Sequence, residues 1–316
     1  MSSGGIVYLV GAGPGDPGLF TLRGMELLQQ AEVVIYDGLV NPELLRFAPP
    51  TAEVIYGGKH DRTRSVSQDE INALLLTKAR EGKRVVRLKG GDPYMFGRGG
   101  EEAEVLAEAG IRFEVVPGVS SFHAVPAYAG IPLTHREHDS MVTIVTGHDD
   151  PLSPANKLDW AQLAKTPGTL VVLMGLRNIP QIAAMLVAHG RSPDTPVAII
   201  SRGTMRRQAV VTGTLATIAS QLAEVRLSPP AVTVIGEVVK MREKLPPLLH
   251  FEWKRGSRSV PHSRRCMTTS TGGYSAIGLF GQQASGFVHQ FALKSAGVGV
   301  ECGAFDAQPS AGPAPG

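Results

Sequence analysis

Three glycine-bearing segments hold most of the residues in this sequence that could do chemistry. The first is Val10-Gly11-Ala12-Gly13-Pro14-Gly15-Asp16-Pro17-Gly18, directly after the apolar run Ile6–Val10. The second is Lys89-Gly90-Gly91-Asp92-Pro93-Tyr94-Met95-Phe96-Gly97-Arg98-Gly99-Gly100, after Arg84–Leu88. The third is Pro117-Gly118-Val119-Ser120-Ser121-Phe122, after Phe113–Val116. Glycines at the C-terminal end of a strand let a ligand approach the main chain closely. That end is also where open α/β sheets bind their ligands. Asp92 can accept hydrogen bonds there or offset a cationic ligand, and Met95 and Phe96 supply apolar surface. The hydroxyls of Ser120 and Ser121 suit a ligand or a helix cap equally well.

Taken alone, the first segment is open to two readings. Gly11-x-Gly13 after a strand, with Asp37 ending the second strand, fits a dinucleotide fold; it also fits a plain glycine-rich turn. Asp16 stands where the third glycine of the dinucleotide pattern belongs, and Pro17 follows it. A helix there starts too late to aim its N-terminus at a pyrophosphate. His135-Arg136-Glu137-His138 spaces its histidines by three rather than the four of a zinc hydrolase motif, and no third ligand is evident. No metal is expected.

The segments need elements to hold them. Ile6–Val10, Val33–Tyr36, Val54–Tyr56, Arg84–Leu88 and Phe113–Val116 read as strands; Leu19–Gln30, a helix from Ser67 to about Glu81, and Glu101–Ala109 read as helices. Ser67-Gln68-Asp69-Glu70 is a capping box. This alternation predicts a mainly parallel α/β sheet. A second unit follows, with strands at Met141–Thr146, Thr169–Met174, Val197–Ser201, Gln208–Thr212 and Val232–Val239, and helices at Ile179–His189 and Leu215–Val225. The expected division is an α/β domain over 1–138, a second α/β domain over 139–246, and a disordered tail over 247–316. In the tail, periodicity fades into Ser, Thr, Gly and Pro.

Charge sharpens the picture. Six of the 31 Lys and Arg, and three of the 28 Asp and Glu, fall from residue 247 onward, which leaves 25 of each sign before it. A formally neutral body gives no support to nucleic-acid binding by bulk charge. Both cysteines, Cys266 and Cys302, lie in the tail, so neither a disulfide framework nor a cysteine-held metal is expected for the body. No apolar run reaches the roughly 18–20 residues of a membrane span. The N-terminus has no basic region of the signal-peptide kind, so the expected location is cytoplasmic.

In order and spacing, the three segments are followed by Ala127-Tyr128-Ala129-Gly130-Ile131-Pro132-Leu133-Thr134-His135-Arg136, Val171-Val172-Leu173-Met174-Gly175 and Pro230-Ala231. Together they resemble the uroporphyrinogen-III C-methyltransferase family, within the wider tetrapyrrole methyltransferases, over roughly residues 5–245. Tyr36-Asp37-Gly38-Leu39-Val40 and Gly58-Lys59 favour that family over related precorrin methyltransferases. The resemblance implies two α/β domains with S-adenosylmethionine between them, two successive methylations of uroporphyrinogen III to precorrin-2, and a homodimer on the route to sirohaem or cobalamin. By position it assigns cofactor contacts to Pro14, Gly90, Gly91, Asp92, Met95, Ser120, Ser121, Met174 and Gly203, and acid/base roles to Asp37 and Lys59. The family often has Thr or Ala within the pair that is Ser120-Ser121 here. A polycarboxylate substrate on a neutral body needs a local basic rim, and Arg62, Arg64, Arg98 and Arg136 are the candidates. The competing readings are another precorrin methyltransferase, a nicotinamide-dependent dehydrogenase, and a tetrapyrrole carrier that does no chemistry.

Overall fold

Among the described residues, twelve strands and seven helices follow one another, and ten of the strands build two five-stranded sheets. The structure, a computed structural model, describes residues 4–61 and 64–247, and of residues 59–61, 64 and 65 the backbone alone. The disorder expected after residue 247 lies outside the described residues. The first sheet takes β1 (Ile6–Gly11), β2 (Val33–Tyr36), β3 (Glu53–Tyr56), β6 (Arg84–Lys89) and β7 (Arg112–Val116) in the order β3-β2-β6-β1-β7. Every pairing in it is parallel. A short antiparallel hairpin, β4 (Lys59–Asp61) and β5 (Arg64–Ser65), stands apart from it.

Parallel strands covered on both faces are apolar on both sides. Val10, Val34, Val86 and Leu88 face α1 (Leu22–Leu28) and the 3-10 turn Pro42–Phe47. Val7, Leu9, Val33, Ile35 and Val85 face α2 (Gln68–Arg80) and α3 (Gly99–Glu108). The capping box forms as read: Ser67 Oγ accepts from Glu70 N–H, and Glu70 Oε2 accepts from Ser67 N–H. The helix expected at Leu19–Gln30 starts later, at Leu22. Pro17 opens a 3-10 turn capped by Asp16, and Thr21 then caps α1.

The second sheet combines β8 (Val142–Thr146), β9 (Thr169–Leu173), β10 (Pro196–Ser201), β11 (Ala209–Thr214) and β12 (Ala231–Ile235) in the order β11-β10-β12-β9-β8. Here only β8–β9 is parallel. Even so, β8, β9 and β10 run the same way, because β12 is antiparallel to both β9 and β10. One face carries α5 (Trp160–Lys165), α6 (Ile179–Ala188) and α7 (Ile218–Glu224). The other is covered by Val125 and Ala129 at the end of α4 (Ser121–Tyr128), the helix that follows the last strand of the first sheet. The strand expected over Val232–Val239 ends at Ile235. Gly236, at φ +149°, turns the chain into a 3-10 segment, Glu237–Glu243.

Candidate active site

The main chain after β1, β6 and β7 converges at the C-terminal edge of the first sheet. Gly13 and Gly91 form an antiparallel bridge: Gly13 N–H donates to the Gly91 carbonyl at 3.1 Å, and Gly91 N–H to the Gly13 carbonyl at 2.8 Å. A Cβ placed on Gly11 would lie 2.5 Å from the Gly118 Cα and 2.7 Å from the Gly91 oxygen, so these three backbones touch with no room for a side chain. Asp92 ties the second loop to the third. Its Oδ2 accepts from Gly118 N–H at 3.0 Å, and its Oδ1 accepts from Tyr94 N–H at 2.9 Å. Both carboxylate oxygens thus help to shape the loops.

Gly91 differs from its neighbours. At φ +70° it needs the left-handed conformation, yet a Cβ there would meet nothing nearer than Ser120 Cα and Ser121 N, both at 3.9 Å. Its side-chain position therefore faces open space bordered by the start of α4, and Gly91, Ser120 and Ser121 come together. Gly90 is closed by Leu39, whose Cβ would lie 2.7 Å from an added methyl group. Pro14 sits between Gly13 and Gly15 on the same loop.

The second sheet adds its own strand-end loops. Met174 follows β9, and Arg202-Gly203-Thr204 follow β10. Among the described residues, the non-glycine residues with positive φ are Phe96, Arg98, Met174, Arg202 and Thr204, all in loops after β6, β9 or β10. Such backbone collects at ligand sites, where the surroundings enforce it. Gly203 lies against Val125 of α4, where any side chain would overlap. Asp16 N–H donates to Thr204 Oγ1 at 3.1 Å, and the Tyr128 hydroxyl donates to Asp16 Oδ2 at 2.8 Å. Gln208 closes the ring, accepting from Thr204 N–H and donating to the Tyr128 carbonyl. Burial, then the bond to Asp16, holds the Tyr128 phenol well above its ordinary pKa. Met95 and Met174 are exposed on their loops, at 37% and 51%.

Asp37 belongs to a charged cluster that the sequence reading missed. Side chains alternate along a strand, so Arg87 and Lys89 of β6 both point to the α2/α3 face. They are 1% and 2% exposed there, with fully buried Glu102 of α3 between them. Arg87 Nη2 contacts Asp37 Oδ1 at 2.5 Å, and its Nε donates to Glu102 Oε1 at 3.2 Å. Lys89 Nζ meets the same Oε1 at 2.9 Å, and Gln68 Nε2 donates to it at 3.2 Å. Burial, then the nearby Arg87 charge, lowers the Lys89 pKa; Glu102 and Asp37 pull it the other way. The available signal was Arg87 and Lys89 interleaved with the apolar Val85, Val86 and Leu88 of β6.

The remaining site residues divide. Lys59 pairs with Ser65 along the backbone in the β4–β5 hairpin, and Arg64 pairs with Asp61. Arg62 lies outside the described residues. Arg98 is exposed and paired with Glu101 at 2.5 Å, a contact that raises the arginine pKa and lowers that of the carboxylate. Arg136 is exposed in the turn closed by His135 and Asp139, and no bond links it to Arg98 among the described residues.

An α/β molecule with glycine loops at aligned strand ends, tied across two sheets, is a small-molecule-binding enzyme fold. The tetrapyrrole (corrin/porphyrin) methylase family matches residues 6–219, and the chain belongs to that family. It is 55% identical over 241 residues to the S-adenosyl-L-methionine-dependent uroporphyrinogen III methyltransferase of Methanosarcina barkeri, covering 76% of this chain and 94% of that one. It is 53% identical over 241 residues to the siroheme synthase of Acinetobacter baylyi, covering 76% of this chain and 52% of the synthase, so it spans about half of that longer protein. Among solved structures it resembles the Thermus thermophilus uroporphyrin-III C-methyl transferase complexed with S-adenyl homocysteine. That match has a TM-score of 0.63 and 43% identity, and covers 74% of this chain and 98% of the other.

Proposed function

We propose that this chain transfers methyl groups from S-adenosylmethionine to two ring carbons of uroporphyrinogen III, giving precorrin-2. The observation that carries the reading is the open position at Gly91, bordered by Ser120 and Ser121, beside Gly11 and Gly118, whose backbones pack too closely for any side chain. That cradle fits a ligand pressed against main chain. Pro14, Gly90, Gly91, Asp92, Met95, Ser120 and Ser121 from one half, with Met174 and Gly203 from the other, would hold the cofactor, and Asp92 would also hold the loops. The bound cofactor supplies a methyl group already activated by its sulfonium, so what falls to the protein is mainly positioning.

Asp37 supplies the proton chemistry in this reading. Arg87 keeps one carboxylate oxygen in place, while the side chain stays 28% exposed and open to a substrate. Methyl transfer makes the ring carbon quaternary and leaves the tetrapyrrole with a positive charge, so a proton must leave elsewhere in the ring system to restore a neutral conjugated product, and an oriented carboxylate can accept it. Lys59 assists, and Arg62, Arg64, Arg98 and Arg136 receive the carboxylates of the substrate. The enzyme works as a homodimer in the cytoplasm, with α/β domains over 1–138 and 139–246, on the way to sirohaem or cobalamin. Among the described residues no helix is long and apolar enough to cross a membrane.

Incubation with uroporphyrinogen III and methyl-labelled S-adenosylmethionine tests this. Label should appear in the tetrapyrrole. Binding without transfer would make the protein a carrier, and label accepted only by an already methylated precorrin would make it another enzyme of the family.

A further inference from the structure

We infer that Glu102 is a positioning residue for methyl transfer: from α3 it fixes Arg87, which in turn fixes the Asp37 carboxylate. This rests on the role of Asp37 in the proposed function and goes one layer beneath it. Glu102 is fully buried and offers a single oxygen, Oε1, to three donors: Arg87 Nε, Lys89 Nζ and Gln68 Nε2. Its other oxygen, Oε2, is buried with no hydrogen-bond partner among the described residues. A buried carboxylate half-satisfied in this way is costly as a purely structural device. The arrangement is also directional. Arg87 turns its Nε edge to Glu102 and its Nη2 to Asp37, so the planar guanidinium transmits the position of one carboxylate to the other.

Lys89 completes the set. With Arg87 and Lys89 positive and Glu102 and Asp37 negative, the four formal charges cancel, and one charged group, Asp37, reaches the surface. Removing the Glu102 charge alone would leave two buried cations against Asp37, so stability and catalysis would suffer together. Removing the Glu102 and Lys89 charges together restores the balance but gives Arg87 a neutral amide in place of its charged anchor, beside its 3.3 Å bond to the Leu88 carbonyl.

The test therefore uses Glu102→Gln and the double variant Glu102→Gln/Lys89→Met, with the full-length wild type alongside. Four quantities are read: melting temperature, affinity for S-adenosylhomocysteine by calorimetry, and kcat and KM for uroporphyrinogen III. The double variant should melt close to wild type and bind S-adenosylhomocysteine as wild type does, with KM little changed. Its kcat should nevertheless fall on the order of 10-fold or more, the scale of coupling within one charged network. A purely structural role predicts that kcat recovers with the melting temperature. A double variant, or a folded Glu102→Gln, that turns over at the wild-type rate would overturn the inference while leaving the activity intact. A wild type that transfers no methyl group would overturn the proposed function, and this inference with it.

Discussion

In the proposed function, replacing Asp37 or Gly91 singly should separate chemistry from binding. Asp37→Asn keeps the shape of the side chain and a contact for Arg87 but removes the base. Cofactor affinity should therefore hold while kcat at saturating substrate falls on the order of 100-fold or more, the usual contribution of a positioned base. Steady-state rates with parallel calorimetry check this, and unchanged turnover would take Asp37 out of the mechanism. Gly91→Val acts oppositely. At φ +70° a β-branched residue is strained, and its methyl groups would occupy the space beside Ser120 and Ser121. Affinity for S-adenosylhomocysteine should drop about 10-fold or more, roughly 1.4 kcal/mol or above, and a folded variant with wild-type affinity would refute the cradle. At this scale the glycines were legible in the sequence, because glycine at a strand end states a backbone requirement. Asp92 was legible as a loop residue but not as the clamp on Gly118, since that bond joins residues 26 positions apart. Arg87, Lys89 and Glu102 were not legible as a site. A charged residue in a short strand reads as surface until the helix covering it is known.

Helix α4 is the element that binds the two sheets together. It follows the last strand of the first sheet, and its Val125 and Ala129 pack under the second. Its last residue, Tyr128, bonds Asp16 in the first glycine loop. Tyr128→Phe should cost about 1.5–3 kcal/mol, as for a hydrogen bond to a charged group, and should weaken S-adenosylhomocysteine binding by loosening that loop. The pH dependence has a definite sign. The phenol pKa is raised in the folded protein above its unfolded value near 10. The Tyr128 contribution is thus fully present below about pH 10 and is lost as pH rises beyond it. Denaturant melts of the two proteins at pH 7 and above pH 10 check this: the gap between them should narrow at the higher pH, and a constant gap would contradict it. The sequence marked a helix start at Ser120-Ser121 but held no local sign that α4 docks on the second sheet, because that contact depends on tertiary packing alone. The capping box of α2, by contrast, is local and was read directly. The short α5 and the Pro42–Phe47 turn were too brief for periodicity to reveal.

At the scale of the molecule, the described packing runs to the end of the second sheet and slightly beyond it. Arg242 donates to the Ala129 carbonyl, and the Leu245 oxygen lies 2.5 Å from where a Cβ of Gly130 would be. A chain stopped after Pro246 keeps both contacts. It should match the full-length protein in rate and melting temperature, and a large loss in either would show that residues 247–316 dock on the catalytic body. The parallel first sheet and the strand-end location of the site followed from the alternation of elements. The mixed second sheet did not, since pairing direction depends on connections that local sequence does not specify. What remains central is that the paired sheets with their shared loops perform a double methylation. Mass analysis of the tetrapyrrole during incubation with uroporphyrinogen III and S-adenosylmethionine tests that directly. A product one methyl group heavier than the substrate should form first and give way in time to one carrying two. A tetrapyrrole unchanged in mass, in the presence of protein that binds S-adenosylhomocysteine, would contradict it.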